Sequence, residues 1–477
     1  MQLSNFTVHD RVLLFIGFVL VLFFSSFHLF NSPETWMDEG LIIQSAEGIL
    51  ETGKAAVPIA PGVWEPAWYI TTGFPLTLPL AGTFAVFGVS LEAARLVMLA
   101  FLLCLFGVFF LYARRAISGG AAWFGLFFLV FFAPIYGNGR NALGEIPGLL
   151  FLVLALLPLI QSGAISRRRA LWAGVAAGCA VAAKPIFILF LPALLLTLVL
   201  RWKELELKKV FLIGIAGVIM PLIIWAYIQF DQVTLAQVLA VYANPHDVNV
   251  GAALVANTKR LLTEMQPLYF FAVFAVWALS YGVRRFRREA VSLVEETVLF
   301  FALLVLLAYL RTAGYYRYFF PAQVFALLYF PQSLLYLTKN YGRLFVRAIL
   351  VSLFGLILFQ AYETAFRSWV AVHYDSTRTQ ELEKYFSNLS LSEEVFIYQA
   401  PEIVSFVGKH PFYQYVEILP SVSAGKDYQH LVLSGKAPLV VTPYDLFERE
   451  SKTTFRQYTL VSRITEYAVL TPPDRSK

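Results

Sequence analysis

Long apolar runs alternate with short polar tracts along most of the chain, and this pattern changes only near Phe366. A helix needs about 20 apolar residues to cross the hydrocarbon core of a bilayer. The predicted spans are 12–30, 93–113, 120–137, 146–162, 170–183, 186–200, 210–230, 267–283, 296–311, 318–337 and 345–363. The first run is longer than the apolar core of a signal peptide and lacks a small-residue cleavage pattern after it, so we interpret it as a retained signal anchor. The sequence therefore predicts an α-helical polytopic membrane protein with about eleven transmembrane helices.

The stretch 68–89 is also apolar, but two prolines and three glycines interrupt it. It is either another span or a pair of short helices at the membrane interface. Basic clusters lie at 114–115, 167–169, 201–209, 284–288 and 339–347. They fall on one side of the membrane only if 68–89 does not cross and the chain turns tightly at Lys184-Pro185. Because basic clusters mark the cytoplasmic side, we predict a plasma (inner) membrane protein with a cytoplasmic N-terminus.

Beyond about residue 366 the composition becomes that of an ordinary soluble domain. Helices are predicted at 381–389 and 401–408, and strands at 394–398, 439–442 and 467–470. This alternation is typical of a small α/β domain. We therefore divide the chain into a transmembrane domain, 1–365, and an extracytoplasmic α/β domain, 366–477, in which no catalytic constellation is visible.

Composition narrows the possible partners. Charged residues make up 14% of the chain, against about a quarter in soluble domains, and 58% of residues are hydrophobic. The net charge of +6 does not indicate a nucleic-acid partner, because Lys and Arg cluster between apolar runs, where they set membrane orientation. Both cysteines lie inside apolar runs, so a disulfide framework is not expected. Membrane lipids are the expected surroundings.

An acidic pair opens the first outer loop. Asp38 and Glu39 are adjacent and lie close to an apolar span. Burial raises the pKa of a carboxyl group and prepares it for proton transfer, so this pair is a candidate acid–base site. The alternative is that Thr35 or Asp38 caps a helix that begins near Glu39.

Further charges recur in the other outer loops. Arg140 and Glu145 lie in the segment that joins two predicted spans, where charge is costly unless it is paired or lines a cavity. The alternative to a functional role is an Arg140–Glu145 ion pair that closes the hairpin. Lys184 either snorkels to the interface or faces an anionic head group. Arg317 lies among aromatic residues, which suits an interfacial anchor or a phosphate contact. His246 is a candidate metal ligand or base, although a lone loop histidine is more often neither.

Taken in order, these motifs resemble the GT-C membrane glycosyltransferases, in particular the protein O-mannosyltransferase and aminoarabinose transferase branch (family 39-like). The matching segments are the Asp-Glu pair at 38–39, the Glu-Pro segment at 64–69 with the stretch 68–89, the Ala-Ala-Arg-Leu motif at 93–96, the acidic segment at 140–147, the Lys184 turn and the aromatic turn at 316–321. The resemblance covers residues 1 to about 340. Each motif is short, and their shared order carries the resemblance.

The resemblance implies a role for each site residue. The expected catalytic residues are Asp38 as the base, Glu39 in support of it, and Glu145, the acid of the second loop. Contacts to the donor phosphate are implied for Arg140, Lys184, Tyr316 and Arg317. Some relatives bind a divalent metal ion through residues at the positions of Glu65 and His246, which makes a metal a candidate cofactor. Two departures are Glu145, where the family usually has Asp, and the absence of a lysine between Glu65 and Pro66.

The implied reaction is the inverting transfer of a sugar from a polyprenyl-phosphate carrier to a lipid, glycan or protein acceptor on the outer face. Asp38 would deprotonate the acceptor. The main alternative is a flippase or transporter of a lipid-linked sugar, but such proteins commonly show inverted repeats and polar residues near the midplane, which this sequence lacks. A non-catalytic scaffold would leave Asp38, Glu39 and Glu145 unexplained.

Overall fold

A computed structural model describes residues 7–117, 119–160, 165–201, 207–243, 248–419 and 422–473. The first half of the chain forms α1 (Val8–Ser26), α2 (Met37–Thr52), α3 (Phe74–Phe87), α4 (Leu91–Ala116), α5 (Gly119–Val130), α6 (Ala133–Gly139), α7 (Glu145–Leu156), α8 (Arg167–Ala183) and α9 (Phe190–Leu200). There follow α10 (Leu207–Gln229), α11 (Leu235–Ala243), α12 (Val250–Thr263), α13 (Met265–Phe286), α14 (Leu293–Leu310), α15 (Phe320–Thr338) and α16 (Arg343–Tyr362).

The predicted multi-pass helical fold is confirmed. Among the described residues, the helices long and apolar enough to cross a membrane are α1, α4, α10, α13, α14, α15 and α16. The pair α5 and α6 forms one further candidate span that bends by 52°, and Pro134 in the first turn of α6 accounts for the break. The predicted spans 146–162, 170–183 and 186–200 coincide with the shorter helices α7, α8 and α9.

Ion pairs gather several helix ends at one end of the bundle. These pairs are Arg114 with Asp10, Arg201 with Glu296, and Arg284 with Glu295. They join the start of α1 to the end of α4, and the start of α14 to the ends of α9 and α13. A crevice of about 700 Å³ is lined by Ala116, Arg284 and Glu295. The end of α4 therefore lies near the ion pair between α13 and α14. Arg114, Arg201 and Arg284, which belong to three of the predicted basic clusters, therefore lie on the same side of the bundle.

The first loop differs from the prediction in its details. The stretch 68–89 holds one helix, α3, and not a pair. Its 14 residues span about 21 Å at roughly 1.5 Å per residue, which is too short to cross the bilayer core. The loop also contains α2 and an unpredicted antiparallel hairpin of β1 (Ala56–Ala60) and β2 (Val63–Pro66). The loop thus has two helices outside the spans, α2 and α3, separated by a hairpin.

The C-terminal region is the predicted small α/β domain. It contains α17 (Arg378–Asn388), β3 (Val395–Tyr398), α18 (Val404–Val407), β4 (Phe412–Leu419), β5 (Val422–Ala424), α19 (Gln429–Leu433), β6 (Val440–Pro443), α20 (Tyr444–Glu450), β7 (Thr459–Ile464) and β8 (Tyr467–Thr471). The strands form one sheet in the order β5-β4-β3-β6-β8-β7, and β3 runs parallel to both β4 and β6. The predicted strands correspond to β3, β6 and β8. The edge strand β7 was missed because most of its residues are exposed and carry no buried apolar run.

The C-terminal domain packs directly against α2. Gln44 Nε2 donates to Pro401 O at 2.7 Å, and Gln414 Nε2 donates to Gln44 Oε1 at 2.6 Å. A Cβ atom on Gly40 would lie 2.4 Å from Glu402 Cα, so the backbones approach too closely for any larger residue. The helix that begins with the acidic pair is therefore held by the soluble domain as well as by the membrane helices.

Candidate active site

The acidic pair lies in the first turn of α2, where the helix dipole favours negative charge. The predicted capping role of Thr35 or Asp38 is wrong. Trp36 occupies the N-cap position without a side-chain hydrogen bond, and the hydroxyl of Thr35 is buried without a partner among the described residues. Asp38 instead forms an ion pair with Arg317, which comes from a turn far away in sequence.

The Asp38–Arg317 pair lies in an aromatic setting. The Arg317 guanidinium lies 4.9 Å from the ring centre of Trp36 and 5.4 Å from that of Tyr318. Burial lowers the pKa of Arg317, but the carboxylates of Asp38 and Glu145 raise it, and the net result is above its ordinary value. The Asp38 side chain is 34% exposed, so its carboxylate is accessible while its partner is largely buried.

Helix α12 fixes the turn that carries Arg317. Asn257 Nδ2 donates to Thr312 O at 2.9 Å, and Arg260 Nη1 donates to Gly314 O at 2.7 Å, where Gly314 adopts a φ of +80°. Tyr316, predicted to contact the donor phosphate, lies under the Arg260 guanidinium at 4.7 Å, and its hydroxyl is buried without a hydrogen-bond partner in the described chain. Neither Asn257 nor Arg260 was predicted from the sequence to belong to the site.

Glu39 forms a second, wholly buried ion pair with Arg95 at the start of α4. Arg95 Nη2 lies 3.0 Å from Glu39 Oε2, and Nε donates to Oε1 at 3.2 Å. The same guanidinium donates to Leu29 O at 2.7 Å and to Pro33 O at 2.8 Å, while the Ala142 N–H donates to Glu39 Oε1 at 3.1 Å. Through Arg95, Glu39 is therefore linked to the segment that precedes Asp38, and it also binds the loop before α7.

Glu145 pairs with Lys184 and not with Arg140. Lys184 Nζ lies 3.3 Å from Glu145 Oε1, and both side chains are buried. Beyond this ion pair, neither carboxylate oxygen of Glu145 has a hydrogen-bond partner among the described residues. The two segments meet because a Cβ atom on Gly144 would lie only 2.2 Å from Ala183 O, an approach that requires glycine. Because the Glu145 carboxylate also acts on the pKa of Arg317, the pairs Asp38–Arg317 and Glu145–Lys184 form one charged cluster, here called the carboxylate–cation cluster.

Arg140 contacts other residues than Glu145. Its Nη2 donates to Phe27 O, and its guanidinium lies 5.8 Å from the ring centre of Tyr374. Burial lowers the pKa of Arg140 to about 10. Its Nε and Nη1 are buried without hydrogen-bond partners in the described part of the chain. The alternative of an Arg140–Glu145 ion pair is therefore wrong, and the phosphate contact of Arg140 stays a prediction.

The residues predicted to bind a metal are not brought together by the described structure. Glu65 lies on β2 and accepts a hydrogen bond from the Gly425 N–H at 2.8 Å, so it joins the hairpin to the C-terminal domain. Burial raises the pKa of Glu65, and nearby Asp427 adds to this. His246 lies outside the described residues. No group of three or more His, Cys, Asp or Glu side chains among the described residues is arranged to hold a metal ion.

Comparison with known proteins identifies the fold. Residues 76–228, less than half of the chain, match the family model described as dolichyl-phosphate-mannose-protein mannosyltransferase. No curated protein matches the chain. The structure of ArnT from Cupriavidus metallidurans bound to undecaprenyl phosphate superposes with a TM-score of 0.63, at 13% identity and over 99% of both chains. The chain has the GT-C fold.

Two further proteins share this GT-C fold. The archaeal oligosaccharyltransferase AglB from Archaeoglobus fulgidus, in complex with an inhibitory peptide and a dolichol-phosphate, has a TM-score of 0.54 and 11% identity, over 98% of this chain and 75% of AglB. The arabinofuranosyltransferase AftD from Mycobacteria has a TM-score of 0.53 and 12% identity, over 98% of this chain and 40% of AftD. The predicted resemblance to GT-C membrane glycosyltransferases is confirmed for the fold.

Arg95 is the main buried residue of the candidate site that was given no role on the basis of the sequence. It lies in the Ala-Ala-Arg-Leu motif at 93–96, which contributed only to the family resemblance. A signal was nevertheless present, because an arginine in the first turns of an apolar helix needs a buried partner or a cavity. Its partner, Glu39, lies 56 positions earlier, and no local pattern connects the two.

Proposed function

We propose that the protein transfers a sugar from a polyprenyl-phosphate carrier to an acceptor, at the end of the bundle that carries the C-terminal domain. The main support for this proposal is the carboxylate–cation cluster. A partly exposed carboxylate, Asp38, lies beside Arg317, and Glu145 with Lys184 lies close enough to influence Arg317 electrostatically. A base next to cations is what a reaction needs when the acceptor loses a proton and a phosphate departs.

In the proposed step, Asp38 accepts the proton of an acceptor hydroxyl or amine. The acceptor atom forms a bond to the anomeric carbon of the sugar as the bond between that carbon and the phosphate oxygen breaks. The negative charge then rests on the departing polyprenyl phosphate, and Lys184 and Arg317 stabilise it. Because this is a single displacement, the configuration at the anomeric carbon inverts.

Structures with the same fold support a polyprenyl-phosphate sugar as the donor. ArnT was solved with undecaprenyl phosphate and AglB with a dolichol-phosphate, so two proteins of this fold bind polyprenyl phosphates. The matching family model also names a dolichyl-phosphate sugar. We propose a lipid, glycan or protein acceptor on the outer face of the plasma (inner) membrane. The position of the cluster opposite the basic helix ends supports a cytoplasmic N-terminus and an extracytoplasmic C-terminal domain.

A transfer assay tests the proposed function. The purified protein is reconstituted in liposomes with radiolabelled polyprenyl-phosphate sugars and with native membranes from a deletion strain as the source of acceptor. We expect the label to move to the acceptor, polyprenyl phosphate to be released, and the anomeric configuration of the product to be inverted. Label that crosses the bilayer while still attached to its carrier would instead indicate a flippase. Retention of configuration would contradict the single displacement.

A further inference from the structure

Thr72 is a buried residue near the segments that carry Glu145 and Lys184, and it has no role in the reaction proposed above. It lies between β2 and α3, is 1% exposed, and its hydroxyl has no hydrogen-bond partner among the described residues. Leaving a buried hydroxyl unpaired costs about 1–3 kcal/mol. A side chain of this kind needs an explanation, and such groups are frequent at functional sites.

Backbone contacts place Thr72 beside the two segments that carry Glu145 and Lys184. A Cβ atom on Gly144 would lie 2.9 Å from the Thr72 hydroxyl oxygen, and Gly144 directly precedes Glu145. The following residue, Gly73, donates its N–H to Ala182 O at 3.0 Å, two positions before Lys184. The hydroxyl therefore lies where the segment of Glu145 meets the segment of Lys184.

We infer that the Thr72 hydroxyl binds the phosphate of the lipid-linked donor together with Lys184. This inference rests on the proposed function. A threonine hydroxyl can donate a hydrogen bond to a phosphate oxygen, and a hydrogen bond to a charged group is stronger than one between neutral groups. The Gly73–Ala182 hydrogen bond already fixes the backbone beside Thr72. The hydroxyl is therefore positioned before the phosphate binds.

The inference predicts opposite effects on stability and on binding for Thr72→Val. Valine keeps the shape of threonine and removes a hydroxyl without a partner, so the unliganded variant should unfold at the same or a higher temperature than the wild type. Binding of undecaprenyl phosphate should weaken about 10- to 100-fold, as expected for the loss of a hydrogen bond to a charged group. Thr72→Ser, which keeps the hydroxyl, should bind nearly as the wild type does.

The measurement is the shift of the thermal unfolding midpoint with increasing undecaprenyl phosphate, because a ligand that binds the native state raises this midpoint. The matched control is Thr197→Val. The Thr197 hydroxyl donates to Ala193 O at 3.1 Å and accepts from Thr297 at the opposite end of the bundle. This control should lower the midpoint without ligand and leave the binding of undecaprenyl phosphate unchanged. The neutral polyprenol serves as the phosphate-free probe and should not distinguish Thr72→Val from the wild type.

The outcomes separate the inference from the proposed function. If wild type and Thr72→Val bind undecaprenyl phosphate equally well while the wild type transfers sugar, the role of Thr72 is overturned and the proposed function stands. If Thr72→Val lowers the transfer rate at saturating donor but not phosphate binding, the phosphate contact is again overturned. If the wild type neither binds undecaprenyl phosphate nor transfers sugar, both fail together.

Discussion

Replacing Arg95 with methionine is expected to lower the free energy of unfolding by about 3–5 kcal/mol, the usual cost of leaving one member of a buried ion pair alone. Both side chains of the Arg95–Glu39 pair are fully buried. The guanidinium also binds the carbonyl oxygens of Leu29 and Pro33, which would lose their donors. The measurement is chemical unfolding of the purified protein in detergent, with protease cleavage in the first loop as a second readout. Cleavage should become faster, because the loop that leads to Asp38 is no longer held.

Two controls separate the loss of a buried charge partner from a general effect of losing an arginine. The double variant Arg95→Met/Glu39→Leu should be more stable than Arg95→Met alone, because it leaves no unpaired buried carboxylate. Arg367→Met removes an exposed ion pair with Glu363 and should change stability by less than about 1 kcal/mol. An Arg95→Met protein as stable as the wild type would contradict this description of the pair.

Replacing Arg317 with methionine is expected to lower the rate of sugar transfer about 100- to 1,000-fold, the range seen when one group that stabilises developing charge is removed. Arg317 is the cation that contacts Asp38 directly, and its guanidinium lies over Trp36. Arg317→Lys should recover only part of the activity, since lysine keeps the charge but lacks the planar guanidinium that stacks and pairs at this position. The measurement is the transfer rate at saturating donor and acceptor.

The matched control is Arg311→Met, at an exposed arginine of the same turn. It should change the transfer rate by no more than about twofold, as most exposed substitutions have small effects. Equal losses in both variants would show that the turn as a whole is sensitive and that Arg317 has no special role. Full activity of Arg317→Met would remove this residue from the reaction.

The membrane helices were predictable because a run of about 20 apolar residues has few alternatives to a transmembrane helix. The hairpin of β1 and β2 was not. Strand β1 is short, contains Pro58 and is buried along its whole length, which is not the alternating pattern of a half-exposed strand. Gln414 of the C-terminal domain donates to Pro58 O, so part of the strand's environment comes from residues more than 350 positions away.

The candidate site, too, was only partly predictable from the sequence. Asp38, Glu39, Glu145 and Lys184 could be singled out, because charges beside apolar spans need an explanation. Their partners could not be assigned from the sequence. Arg140 was the nearest candidate for Glu145, but the close approach of Gly144 to Ala183 gives that place to Lys184. The predicted capping role of Asp38 was wrong because Trp36 occupies the N-cap position, and Arg317, 279 positions away, forms the ion pair with Asp38.

The most direct test of Asp38 as the catalytic base is the rate of sugar transfer by Asp38→Asn, measured beside its binding of undecaprenyl phosphate. Asparagine has nearly the same shape as aspartate but is a very poor base. Transfer should fall at least about 100-fold, the contribution typical of a positioned general base, while undecaprenyl phosphate still binds. An Asp38→Asn protein that binds the lipid and transfers sugar at the wild-type rate would contradict the assignment of Asp38 as the base.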